Sequence, residues 1–200
     1  NNTAIGARAL YVNTTGASNT AVGASVLRSN TTGAYNTGLG ASALYANTSG
    51  DNNAAFGYYA LKNNTTGSNN LALGYQAGYG NETGSGNVFL GYQAGYGETG
   101  SNKLYIGNDS STNLITGDFS NGNLSLGQTS GTVSILNNFS VTGDADIDGT
   151  LEADAITVDG TALDTYIANN SSGSGVDSDS NGNTYAGTGS LENLTTGTGN

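Results

Sequence analysis

Asn2-Thr3-Ala4-Ile5-Gly6, Asn19-Thr20-Ala21-Val22-Gly23, Asn36-Thr37-Gly38-Leu39-Gly40 and Asn53-Ala54-Ala55-Phe56-Gly57 are one short phrase written four times, seventeen residues apart. Asn70 and Asn87 open two more copies. A strict short period makes each unit one turn of a coiled ribbon stacked on its neighbours. Seventeen residues accommodate two strands of about five residues and two turns, at a rise of ~4.8 Å per coil. The expected fold is therefore all-β: a narrow parallel β-solenoid, or β-roll, of 17-residue coils over 1–108.

The columns of the repeat assign faces. The fourth position is always large and apolar: Ile5, Val22, Leu39, Phe56, Leu73 and Leu90, then Ile106 after a slip of one residue at Lys103. It is expected to face a core. Small residues flank it, Ala4, Gly38, Ala55 and Ala72 before and Gly6, Gly23 and Gly40 after. Side chains alternate along a strand, so these share the opposite face and admit another backbone, from the same coil or a neighbouring subunit. A second apolar patch (Ala9-Leu10, Val26-Leu27, Ala43-Leu44, Ala60-Leu61) is expected to form a second strand. Asn-Thr-Thr-Gly segments, as at Asn13–Gly16, Asn30–Gly33 and Asn64–Gly67, suit corners where asparagines stack in hydrogen-bonded ladders.

Composition narrows the function. Only 35% of the residues are hydrophobic and 33 are glycine, but with no proline and 10% charged residues the chain does not read as disordered. Cys, His, Met and Trp are absent, so thiolate and imidazole chemistry are too. A net charge of −11 argues against nucleic acid. No apolar run reaches membrane-spanning length. Acids within 1–108 are limited to Asp51, Glu82 and Glu98, too few for the paired carboxylates of a glycosidase. No enzyme is expected, and no cofactor or metal is assigned. A flat threonine array for ice or mineral is disfavoured, because the paired threonines lie at corners.

Two surface patterns stand out. The position after the second patch reads Tyr11, Arg28, Tyr45, Lys62, Tyr79, Tyr96, which alternates cations and rings at one-coil spacing. The last two coils share Gly-Tyr-Gln-Ala-Gly-Tyr-Gly, placing Tyr75, Gln76, Tyr79, Tyr92, Gln93 and Tyr96 on one flank. Tyrosine with glutamine on a rigid surface offers flat apolar faces and hydrogen bonds to sugar hydroxyls, although such stacks also serve packing alone.

Beyond the repeats, 109–138 reads as a β-rich transition and 139–163 as a β-shaft. A short helical neck is expected over 164–170, where Leu163, Tyr166, Ile167 and Asn170 share a stripe. Residues 171–182 read as a flexible linker. At 183–200 the opening phrase resumes, so a second repeat block starts there and the chain is expected to be a slice of a longer fibre. Asp144, Asp146, Asp148 and Gly149 match the front half of a calcium loop, but the twelfth position is Ala155 rather than Glu. The same acids suit the wet face of a strand.

The Asn-Thr-Ala-Ile-Gly and Asn-Thr-Ala-Val-Gly phrases resemble the head repeats of trimeric autotransporter adhesins, whose usual repeat is shorter. The longer unit with Asn-Thr-Thr-Gly, and the Val141–Leu151 and Val158–Leu163 segments, resemble bacteriophage tail fibre repeats and shaft sequence. The resemblance implies a homotrimer, attachment to a host-surface glycan or receptor, assembly with other virion or filament subunits, and residence in a virion tail. A bacterial or archaeal cell-surface filament is the alternative, for which N-glycans at sequons such as Asn13, Asn64 and Asn138 would argue.

Overall fold

The computed structural model describes residues 1–127, 133–135 and 140–142, together with the strand backbones of four short segments further on. Six three-residue strands, β1 (Thr3–Ile5), β2 (Thr20–Val22), β3 (Thr37–Leu39), β4 (Ala54–Phe56), β5 (Leu71–Leu73) and β6 (Val88–Leu90), pair parallel and in register, one per coil. A seventh, β7 (Lys103–Gly107), continues the parallel ladder one residue early, with Val88 opposite Leu104. The chain then reverses. β8 (Asn113–Asp118) and β9 (Asn123–Leu126) add antiparallel, closing a nine-stranded sheet. No helix occurs among the described residues. The β-solenoid of 17-residue coils read from the repeat is the observed architecture.

Its faces, however, are the reverse of the alternation reading. The middle residue of each strand points inward: Ala21, Gly38, Ala55, Ala72 and Phe89 are buried. The large apolar column lies outside. Ile5 is 60% exposed, Leu39 48% and Leu73 53%, while Val22, Phe56 and Leu90 are half-buried. The reason is the opposite wall. Val26 and Leu27, Ala43 and Leu44, and Ala60 and Leu61 are all fully buried, so both residues of each pair enter the core. In a strand only one of two neighbours could do so.

That wall is accordingly not a second strand. Leu27, Leu44 and Leu61 take φ of 50°, 52° and 49°, and Ser25, Ser42 and Tyr59 two residues earlier are also left-handed. Left-handed residues interleaved at alternate positions curl the wall inward, while hydrogen bonds to the adjacent coils persist. Leu27 N–H donates to Ala43 O at 3.1 Å and Ser25 N–H to Ala7 O at 2.8 Å. Leucine in this region costs about 1–2 kcal/mol, offset by burying its side chain.

With leucine entering from the wall, the strand can supply only a small residue, and the two sides trade volume. Val26 is the largest residue in its wall column, and it faces Gly38, the smallest in the strand column. A Cβ on Gly38 would collide with Val26 Cγ1. In the last two coils Gly78 and Gly95 replace the wall leucine, and Phe89 replaces the strand alanine. A Cβ on Gly78 would sit 2.5 Å from the Phe89 ring. The interior stays filled by conserving total volume across the coil.

Two columns of buried asparagine complete the core. In one, Nδ2 of Asn30, Asn47, Asn64 and Asn81 donates to Oδ1 of the asparagine one coil earlier, at 2.8 to 3.2 Å. In the other, the backbone N–H groups of Asn19, Asn36, Asn53, Asn70 and Asn87 donate to Oδ1 of the asparagine one coil earlier. Both columns converge on the corner glycine. Gly33 O accepts from Asn19 Nδ2 at 2.8 Å and from Asn30 Nδ2 at 2.9 Å. The last rung is a backbone one: Lys103 N–H donates to Asn87 Oδ1 at 2.8 Å, where the period slips and the ladder ends.

Residues 138–200 form a separate unit. There Thr157–Val158 pairs antiparallel with Thr161–Ala162, and Val176–Ser178, within the stretch read as linker, pairs antiparallel with Thr184–Ala186. The neck at 164–170 and the calcium-loop candidates Asp144, Asp146 and Asp148 lie outside the described residues.

The glycine after each outer apolar residue does meet another backbone, that of the next coil. Gly40 has φ +114°, and a Cβ there would lie 2.7 Å from Gly57 C. Gly40→Val is therefore expected to destabilise the single chain by about 3 kcal/mol or more, read as a lowered denaturation midpoint. An unchanged midpoint would refute this close stacking.

Candidate tyrosine flank and the solenoid cap

The six candidate sugar-binding residues fall into three ladders. Tyr75 and Tyr92, each following a positive-φ glycine, stack with ring centroids 5.2 Å apart and planes within 7°. Tyr58 extends this stack at 5.6 Å. Tyr79 and Tyr96 stack at 4.9 Å and 6°. Between them in sequence, Gln93 Nε2 donates to Gln76 Oε1 at 2.7 Å, and both glutamines occupy the left-handed position that Tyr59 fills one coil earlier.

Spacing of one coil is also ring-stacking distance, so the tyrosines cover one another's faces. What the flank presents outward is edges and hydroxyls. It can hydrogen-bond a sugar, but a ring face for stacking is available only where a column ends.

The cation column follows its alternation on both sides of Arg28 but on one side only of Lys62. The Arg28 guanidinium lies 5.8 Å from the Tyr11 ring centroid and 5.4 Å from that of Tyr45, and Arg28 Nη1 donates to Tyr45 Oη at 3.1 Å. Lys62 Nζ lies 4.4 Å from Tyr59 and 5.3 Å from Tyr79. Arg28 is held between rings of the coils on either side, and Lys62 between Tyr59 of its own coil and Tyr79 of the next, contacts worth about 0.5–1 kcal/mol each at an exposed site.

The sequons of the corner column are not available for glycans in the folded coil. Asn64 is fully buried, and its Nδ2 donates to Asn47 Oδ1 at 2.9 Å and to Gly67 O at 3.0 Å. Asn13 Nδ2 likewise donates to Gly16 O. Among the described residues, the exposed sequon asparagines are Asn1, Asn108 and Asn123.

Sequence reasoning missed the cap that closes the solenoid. Tyr105, on β7, stacks on Phe89 at 6.0 Å and donates its hydroxyl to Glu98 Oε2 at 2.6 Å. Glu98 Oε1 accepts from Thr99 N–H at 2.9 Å and Gly100 N–H at 2.6 Å. Lys103 Nζ pairs with Asp118 Oδ2 on β8 at 2.6 Å. The one available signal was the loss of period after Lys103, which frees these side chains from stacking. Among the described residues no group of three acids could hold a metal, and no helix is long and apolar enough to cross a membrane.

Burial, and then the bond to Glu98, push the Tyr105 hydroxyl up to about 12. For Glu98, burial works to raise the carboxyl, but the Tyr105 hydroxyl and the two backbone N–H groups hold it below its ordinary value. The Lys103 ammonium, with Ser120, holds Asp118 down to about 2. Comparison with protein-family models, characterised proteins and solved structures finds no match to this chain.

Both carboxyls are lowered by folding, so the stability they contribute is fully present above their unfolded values near pH ~4. For Asp118 it is lost as pH falls toward about 2, and for Glu98 as pH falls through its lowered folded value. Acidification through this window is expected to loosen β8 and β9 while the coils, held by uncharged asparagine ladders, keep their protection. Amide hydrogen exchange, corrected for intrinsic rates, measures this; equal loss of protection in β2–β5 and β8–β9 would contradict it.

Proposed function

We propose that this chain is a non-catalytic segment of a trimeric attachment fibre, best matched to a phage tail fibre, in which identical coils lie side by side along their outer apolar columns. The observation that carries this reading is the outward row Ile5, Val22, Leu39, Phe56, Leu73 and Leu90, with Leu71 and Val88 beside it on the same face. A lone chain leaves that row in water. Contiguous exposed apolar surface of this kind marks an interaction site, and each such side chain gains about 1.5–3 kcal/mol when fully buried.

An identical chain fits the row best. A ladder of side chains at one-coil spacing is complemented by a surface with the same spacing. Charge does not oppose the approach either: over the coils, Arg8, Arg28, Lys62 and Lys103 roughly balance Asp51, Glu82 and Glu98 in number, and the chain's excess of acid lies beyond residue 108. Threefold association and residence in a virion tail come from the resemblance of the repeats to tail fibres and trimeric adhesin heads. The rigid stack supplies reach, the other fibre subunits continue it, and a host glycan or receptor is its target. A cellular surface filament is the second reading, and glycans at the exposed Asn108 or Asn123 of native material would favour it.

Sedimentation equilibrium on the 200-residue chain, 19.9 kDa as a monomer, is expected to give three times that mass. Leu39→Asp combined with Phe56→Asp is expected to return the single-chain mass while the β-type circular dichroism is kept. A wild-type chain that stays single at every concentration would overturn the proposal.

A further inference from the structure

The Tyr79–Tyr96 column stops at the sixth coil. The next turn of chain leaves the solenoid for the β7–β8 reversal, and no further ring stacks on Tyr96 among the described residues. A cavity of about 290 Å³ opens there, lined by Tyr96, Glu98, Tyr105, Ser110, Ser111 and Asn113. We propose that this cap cavity binds one uncharged saccharide residue, with Tyr96 as the ring platform. The choice of a sugar rests on the attachment reading above.

Four features select the ligand. The volume lies just below the ~300–1,000 Å³ typical of small-molecule pockets, suited to one sugar ring rather than a chain. Tyr96, as the last ring of its stack, is where the column can offer a face to the apolar side of a pyranose. The polar side chains of Glu98, Ser110, Ser111 and Asn113 line the cavity and can exchange hydrogen bonds with sugar hydroxyls.

The charges then exclude anions. Glu98 lines the cavity as a carboxylate, held ionised by Tyr105 and two backbone N–H groups. No Lys or Arg lines the cavity. Lys103 borders the neighbouring cavity, where it is committed to Asp118. Phosphate and acidic sugars are therefore disfavoured, and a neutral ring that donates a hydroxyl to Glu98 is favoured. The Glu98–Tyr105 pair fixes one wall, and the Ser110 and Ser111 hydroxyls lie on the reversal.

The test is saturation-transfer NMR on the full chain with glucose, galactose, mannose and N-acetylglucosamine as probes, combined with amide shift mapping. At least one sugar is expected to receive saturation and to shift the amides of Gly95, Gly97, Ser111 and Asn113. Tyr96→Ala is expected to weaken that binding about tenfold, and Ser110→Ala to weaken it with the cap intact, while Tyr11→Ala leaves it unchanged. Unperturbed coil amides confirm that each variant is folded. No saturation transfer to any of the four sugars, or shifts confined to Tyr58, Tyr75 and Tyr92, would overturn the cap site. Because sugar binding is read independently of particle mass, its failure is distinguishable from failure of the trimeric fibre.

Discussion

The buried side-chain amide ladder is the constraint on which the rest of this structure depends. An asparagine amide in an apolar interior must find partners for two donors and an acceptor, or it costs about 1–3 kcal/mol per orphaned group. Here those partners exist at one offset only. Asn47 Nδ2 reaches Asn30 Oδ1 and Gly50 O, and its own Oδ1 receives Asn64 Nδ2. Shifting any coil by one residue would orphan groups on both sides. The net gain per rung is modest, but the penalty for misregister is large, so the ladders specify the seventeen-residue period more than they add to stability.

The ladders also set the width of the coil, and width decides which residues go inside. Two asparagine columns and the backbone of the corner occupy one part of the interior. What remains holds a single large side chain per level. Leucine provides it from the left-handed wall in the early coils and Phe89 from the strand in the last full coil, each faced by alanine or glycine. Ile5, Val22, Leu39, Phe56, Leu73 and Leu90 therefore remain outside, exposed or half-buried, because the core is too thin to admit them.

Much of this was legible in the sequence. The period, the asparagine corners, the stacking of coils and the alternation of Arg28 and Lys62 with tyrosines follow from columns of identical residues. The faces were not legible, because the alternation rule holds for a strand, and half of each coil is not one. Nothing in Leu27, Leu44 or Leu61 announces a left-handed residue; leucine there is tolerated only because its side chain fills the core. The change of composition in the last two coils was visible as tyrosine and glutamine, yet its structural content lay in Gly78, Gly95 and Phe89. The cap was least legible, since Glu98 meets Tyr105 and Lys103 meets Asp118 where the repeat gives no register.

Hydrogen exchange of the asparagine side-chain Nδ2 protons measures the ladder directly. Those of Asn30, Asn47, Asn64 and Asn81 should exchange as slowly as the core backbone amides of the same coils, and far more slowly than those of the exposed Asn69 and Asn121. Exchange of all of them at the rate of a free carboxamide, in a chain that is otherwise folded, would contradict the claim that the asparagine ladders hold the coils in register.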